Sequence, residues 1–129
     1  MTKEEYKILV VDDDPNEVET IKVILESEGY KVKTAGNGKI ALEKVELEKP
    51  NLIVLDVMMP ELDGFATCSK LKSSPEYKDI PIILLTAVGM QISETKYPLD
   101  GVMRTDAEEY LEKPTKPQEL LKVVAKMLK

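Results

Sequence analysis

The sequence predicts an α/β domain built on a doubly wound sheet of five parallel strands. Three observations predict it. Short apolar runs alternate with segments of helical periodicity. The connections between them are short. Two of the runs, Leu52 to Leu55 and Ile80 to Leu85, are apolar throughout, as strands covered on both faces are. Strands alternating with helices imply right-handed crossovers, and hence a parallel sheet with helices on both faces.

The first strand is expected from Lys7 to Asp12. Asp14 then supplies an N-cap, Pro15 suits the first helical position and Glu17 completes a capping-box pattern. Val18, Ile21, Ile24 and Leu25 recur at helical spacing, and Gly29 is placed to end that helix in a left-handed cap. Tyr30 to Thr34 reads as a short second strand, alternating with Lys31 and Lys33. Asn37 caps a second helix that turns Ala41, Leu42 and Val45 inward and stops before Pro50. The third strand is Leu52 to Leu55, and Asp63-Gly64 opens a third helix carrying Phe65, Cys68 and Leu71. Ile80 to Leu85 is the fourth strand, and Tyr110-Leu111-Glu112 belongs to the fifth. Thr115, with Gln118 at the capping-box position, is expected to cap a last helix facing inward through Leu120, Leu121, Val124 and Leu128.

One stretch departs from this alternation. A helix should join the fourth and fifth strands, but Val88 to Asp106 contains Pro98, which cannot sit in a helix interior, and Gly101, which weakens one. A long loop with at most a short helical turn is expected for residues 88–106.

The chain has 129 residues, which suits one domain over residues 1–129. Hydrophobic residues make up 43%, enough for a globular core. The net charge of −6 argues against direct nucleic-acid binding, which needs a basic surface. No apolar stretch approaches bilayer length, so membrane insertion is not expected. A lone Cys68 and a polar, acidic start fit a cytoplasmic location. Cys68 itself reads as a packing residue. The absence of histidine removes imidazole-based catalysis and histidine metal sites.

The strand ends carry the chemistry. The first strand runs into Asp12-Asp13-Asp14, the third into Asp56, the fourth into Thr86, and the fifth delivers Lys113. In a parallel sheet these ends share one edge, where open α/β folds bind their ligands. A carboxylate there can attack phosphorus and become an acyl phosphate. Its repulsion of the incoming phosphoryl oxygens calls for a dication, and magnesium is held by one or two carboxylates plus phosphate oxygens. Asp56 as nucleophile, Asp13 as metal ligand and Asp12 as a second acid meet that need. A hydroxyl and an ammonium would hold the remaining phosphoryl oxygens. Each residue alone has an ordinary reading: Asp14 as a cap, Thr86 as a strand residue, Lys113 as a solvated lysine. The set gives them their meaning. Asp56 is the strongest single case, because four apolar residues precede it and burial without a partner would be costly.

The segments ILVVDDDP, LIVLDVMMPELDGF, IPIILLTA and EYLEKP, in this order and on these elements, resemble the response-regulator receiver domain of two-component signalling over nearly the whole chain. The resemblance implies a flavodoxin-like sheet of strand order 2-1-3-4-5. It implies that Asp56 is the phosphoacceptor and that Mg2+ is held by Asp12, Asp13, Asp56 and the backbone carbonyl of Met58. It further implies that Thr86 and Lys113 contact the phosphoryl group, that Thr86 and Tyr110 form the switch, and that the Lys113-Pro114 bond is cis. The phosphoryl donor would be a histidine kinase or phosphotransfer protein. Such a domain is a signalling element rather than an enzyme, catalysing only its own phosphorylation and dephosphorylation. Because the chain closes with the last helix, a stand-alone regulator acting by protein contact on a downstream protein is expected.

Three features depart from the family pattern. The segment from Thr86 to Lys113 is several residues longer than usual, Asp106 stands where glycine is common, and Thr115 stands where phenylalanine is common. All three fall in the part of the chain that the family uses for output.

Other readings fit less well. Asp12 and Asp14 match the Asp-x-Asp motif of haloacid-dehalogenase phosphatases, but the chain is short for the remaining acidic couple and cap of that family. Asp12, Asp14 and Asn16 match the start of an EF-hand, but Glu17 and Val23 stand where its glycine and bidentate glutamate belong. No glycine-rich phosphate loop follows the first strand, which argues against nucleotide binding in a flavodoxin-like fold.

Overall fold

A computed structural model describes residues 2–57, 64–86 and 107–128. Five strands, β1 (Lys7–Val11), β2 (Lys31–Ala35), β3 (Leu52–Asp56), β4 (Ile82–Thr86) and β5 (Glu109–Glu112), form one sheet. Every pairing is parallel and the order is β2-β1-β3-β4-β5. The described helices are α1 (Pro15–Ser27), α2 (Gly38–Leu47), α3 (Gly64–Lys72) and α4 (Pro117–Met127). The expected fold class and strand order are therefore observed.

The two-residue period of the strands sorts their side chains into two cores. Leu9, Val11, Ile53, Leu55, Ile82 and Leu84 pack with Ala41 and Val45 of α2 and Cys68 and Leu71 of α3. Ile8, Val10, Leu52, Val54, Ile83 and Leu85 pack with Ile21 and Leu25 of α1 and Leu120 and Val124 of α4. Both β3 and β4 are buried along their whole length, which is why neither run alternates with polar residues. At roughly 1.5–3 kcal/mol per buried aliphatic side chain, this central pair anchors the domain and carries Asp56 and Thr86 at its ends.

The helix ends follow local chemistry. Asp14 Oδ1 accepts from the Asn16 N–H at 2.9 Å, and Pro15 occupies the first helical position. The Asp14 N–H is taken by Asp12 Oδ1 at 3.0 Å, so the expected capping box with Glu17 is not closed. Gly29 has φ +98°, and the N–H groups of Gly29 and Tyr30 reach the carbonyls of Glu26 and Leu25 in a Schellman turn. That turn claims Tyr30, so β2 begins at Lys31 rather than at Tyr30. Asn37 Oδ1 accepts from Ile40 N–H at 2.8 Å and caps α2 as expected.

Two other expectations are corrected. The strand expected from Ile80 begins at Ile82, because the Ile80 N–H closes a turn onto Tyr77 and Pro81 has no N–H to donate. The last helix is capped at Lys116, not Thr115, since Pro117 takes the first helical position. The Thr115 hydroxyl oxygen is instead buried with no hydrogen-bond partner among the described residues. The loop expected over residues 88–106, the Met58 carbonyl and Asp63 lie outside the described residues.

Candidate functional site

The parallel register brings the carboxyl ends of β1 and β3 side by side, with Val11 opposite Leu55. Asp12 and Asp56 follow, each only 2% exposed, and Asp13 lies exposed beside them. One oxygen from each of Asp12, Asp13 and Asp56 lies within 4.8 Å of the others. Lys113, delivered by β5, places its ammonium 3.0 Å from Asp56 Oδ1 and 3.2 Å from Asp12 Oδ2. Its backbone N–H donates to the Thr86 carbonyl at 2.7 Å, which ties the end of β5 to the end of β4. The Lys113-Pro114 bond is cis, as expected.

Two buried acids and one lysine leave the site short of positive charge. Burial pushes the Asp12 carboxyl above its usual range. The Asp14 N–H opposes that shift, the Asp56 charge adds to it, and Lys113 relieves it only in part. Burial also works against the Lys113 charge, but hydrogen bonding and charge from Asp56 and Asp12 outweigh it and hold the ammonium's pKa raised. An all-oxygen donor set with excess negative charge suits a hard dication. Asp12, Asp13 and Asp56 therefore fit Mg2+, and an open groove of about 330 Å³ lined by Asp12, Asp13, Pro15, Thr34 and Gly36 gives access beside them.

Not every expected residue joins this cluster directly. Thr86 is buried at 4% exposure, and its hydroxyl donates to the Leu111 carbonyl at a long 3.4 Å. Tyr110 is half-buried against the core that contains α2 and α3. Gly64 does more than open α3. A Cβ there would stand 2.3 Å from the Asp56 carbonyl oxygen and 2.5 Å from Val57 Cα. The first turn of α3 thus presses on the backbone that carries the phosphoacceptor candidate, and the Gly64 N–H donates to the Val57 carbonyl at 3.1 Å. The Asp63-Gly64 pair was a visible signal for a turn but not for this close approach.

The family model of the response regulator receiver domain matches residues 8–125. The chain belongs to the response regulator receiver domain family. Among relatives, it is 44% identical over 114 residues to a "Probable transcriptional regulator ycf27" of Cyanophora paradoxa, covering 88% of this chain and 44% of that protein. It is 38% identical over 123 residues to an "Uncharacterized 14.6 kDa protein" of Leptolyngbya boryana, covering 95% of this chain and 90% of that one. The receiver thus spans less than half of the first relative and most of the second. Among solved structures, it superposes on the Vibrio cholerae chemotaxis protein CheY4 with a TM-score of 0.82 at 31% identity, over 95% of this chain and 98% of that one. Receivers are signalling domains. Among the described residues no helix is long and apolar enough to cross a membrane.

Proposed function

We propose that this receiver accepts a phosphoryl group on Asp56. The observation that carries the reading is the contact of Lys113 with both Asp56 and Asp12 beside an all-oxygen, carboxylate-rich donor set. The donor in this reading is a phosphohistidine on a kinase or phosphotransfer protein. The Asp56 carboxylate oxygen forms the new P–O bond as the donor's P–N bond breaks, and the imidazole departs with the bonding pair. Asp12, Asp13, Asp56 and the Met58 carbonyl would hold Mg2+, which when bound supplies charge to offset the repulsion between carboxylate and phosphoryl oxygens.

This chain's residues prepare that step. Asp56 is held at the end of a fully buried strand, so its position is set by packing. Lys113 already spans the two acids and stands ready to pair with a phosphoryl oxygen. Thr86 sits on the neighbouring strand one position beyond the residue paired with Asp56, with a weak hydroxyl bond to give up. A new dianionic group would draw that hydroxyl and rebias Tyr110, whose strand is tied to Thr86 through the Lys113 amide. In this reading residues 1–129 form one receiver domain that signals in the cytoplasm by contact with a downstream protein.

Phosphotransfer profiling against autophosphorylated histidine kinases tests the partner half of this reading. Rapid transfer from one kinase, abolished in Asp56→Asn, is the expected result. Transfer that persists in Asp56→Asn would overturn it.

A further inference from the structure

The free edge of β2 lies at the opposite side of β1 from β3. The Lys31 N–H donates to the Tyr6 carbonyl and the Ala35 carbonyl accepts from Asp12, each at 3.1 Å, so the odd-numbered residues of β2 bond to β1. By the parallel ladder pattern, the backbone groups of Val32 and Thr34 face outward. Such an edge is a template for a further strand unless it is guarded.

The guard here is partial. The Lys44 ammonium, from α2, bonds the Thr34 carbonyl and closes that position. Val32 lies in an open groove of about 630 Å³ lined also by Lys7, Lys31, Lys33, Tyr30, Glu26 and Glu48. The Lys7 and Lys33 ammoniums converge on the one Glu48 carboxylate, at 2.7 and 2.9 Å. Lys31 is exposed, and its ammonium has no ion-pair partner among the described residues. Three lysines against two glutamates leave this groove one positive charge in excess, on a chain whose net charge is −6, and Lys31 carries that excess at the strand edge. Two lysines on one acid hold the Glu48 carboxyl down to about 2.

We propose that the β2 edge docks an extended acidic segment of a partner protein, which pairs its backbone with Val32 and its carboxylates with Lys31 and Lys33. A second copy of this chain is the wrong occupant. It would set Lys31 and Lys33 against their own counterparts, and like charges facing across strands repel. Lys44 limits the pairing to a short stretch, so specificity comes from charge as well as from backbone bonds. The site lies toward the amino-terminal ends of the strands and does not depend on Asp56 chemistry.

The test is an NMR titration of the full chain with a synthetic peptide of alternating glutamate and valine. Amide shifts should concentrate at Val32 and Thr34 and fade with added salt. Lys31→Glu with Lys33→Glu should weaken binding about tenfold, as expected for the loss of two modest charge pairs. Lys31→Glu alone, which breaks no ion pair of the fold, should weaken it measurably, and Lys126→Glu beside β5 should not. Shifts that map elsewhere, affinity unchanged by Lys31→Glu, binding of polyphosphate but not of the peptide, or self-association through this edge would each overturn the proposal.

Discussion

Lys113 Nζ stands 3.0 Å from Asp56 Oδ1, and the same ammonium reaches Asp12 at 3.2 Å. One cation thus holds two buried carboxylates that repel each other. Because burial and Asp56 both push the Asp12 carboxyl up, its charge costs stability in the metal-free protein. Asp12→Asn should therefore raise metal-free stability by on the order of 1 kcal/mol. Lys113→Met should lower it by on the order of 2 kcal/mol, since it strands two partly compensated charges. Magnesium at tenfold its dissociation constant should stabilise the native protein by about 1.4 kcal/mol, and most of that gain should vanish in Asp12→Asn. Urea unfolding with and without the ion measures all three, and a loss of stability in Asp12→Asn would contradict this electrostatic account.

Gly64→Ala should be among the most damaging small substitutions. The added Cβ meets backbone at 2.3 Å from the Asp56 oxygen and 2.5 Å from Val57 Cα, and backbone cannot swing aside as a long side chain can. A loss of about 3 kcal/mol is expected, with weakened magnesium binding because the carrier of Asp56 must shift. Thermal unfolding and a magnesium titration of the variant are the checks.

Far from the acids, Lys72 secures the start of the edge strand that delivers Lys113. Its ammonium bonds the carbonyls of Lys78 and Ile80 and the Glu108 carboxylate, at 2.8–3.0 Å. The other oxygen of Glu108 accepts from the Ile82 N–H at 2.8 Å. Lys72→Met should cost about 2 kcal/mol, because it leaves two carbonyls without their donor. Glu108→Gln should cost less, since the amide oxygen still accepts from Ile82. Equal losses in urea unfolding would argue against this division of roles.

The pH dependence has a clear sign at Glu48. Lys7 and Lys33 hold its carboxyl at about 2, below the usual 4.5. A depressed folded value contributes stability that is fully present above about 4.5 and is lost as pH falls through about 2. Carboxyl NMR should show the low midpoint, and Lys7→Met with Lys33→Met should return it toward the ordinary value. A wild-type midpoint near 4.5 would contradict the ion-pair geometry.

The parts of the fold that could be read in advance are those where one local rule dominates. Leu52 to Leu55 and the apolar run from Ile80 to Leu85 had to be strands covered on both faces, though the second starts only at Ile82, and their ends had to share an edge with Asp12. Asn37 and Gly29 announced helix ends through chemistry confined to a few residues. What escaped was set by competition or by distance in the chain. Thr115 and Pro117 both suited a helix start, and the ring with no N–H took the first position. Glu17 lost its place in a capping box because Asp12 took the Asp14 amide. The Lys72–Glu108 pair and the closeness of Gly64 to Asp56 depend on how α3 lies against the sheet, which no local pattern encodes.

The central claim is that Asp56 is the phosphoacceptor of a magnesium-dependent receiver. Intact-protein mass spectrometry after incubation with acetyl phosphate tests it most directly, with fragmentation to locate the modified residue. One phosphoryl group on Asp56, formed with magnesium, lost on chelation and absent in Asp56→Asn, is the predicted result. No added mass, or a phosphoryl group that persists in Asp56→Asn, would contradict it.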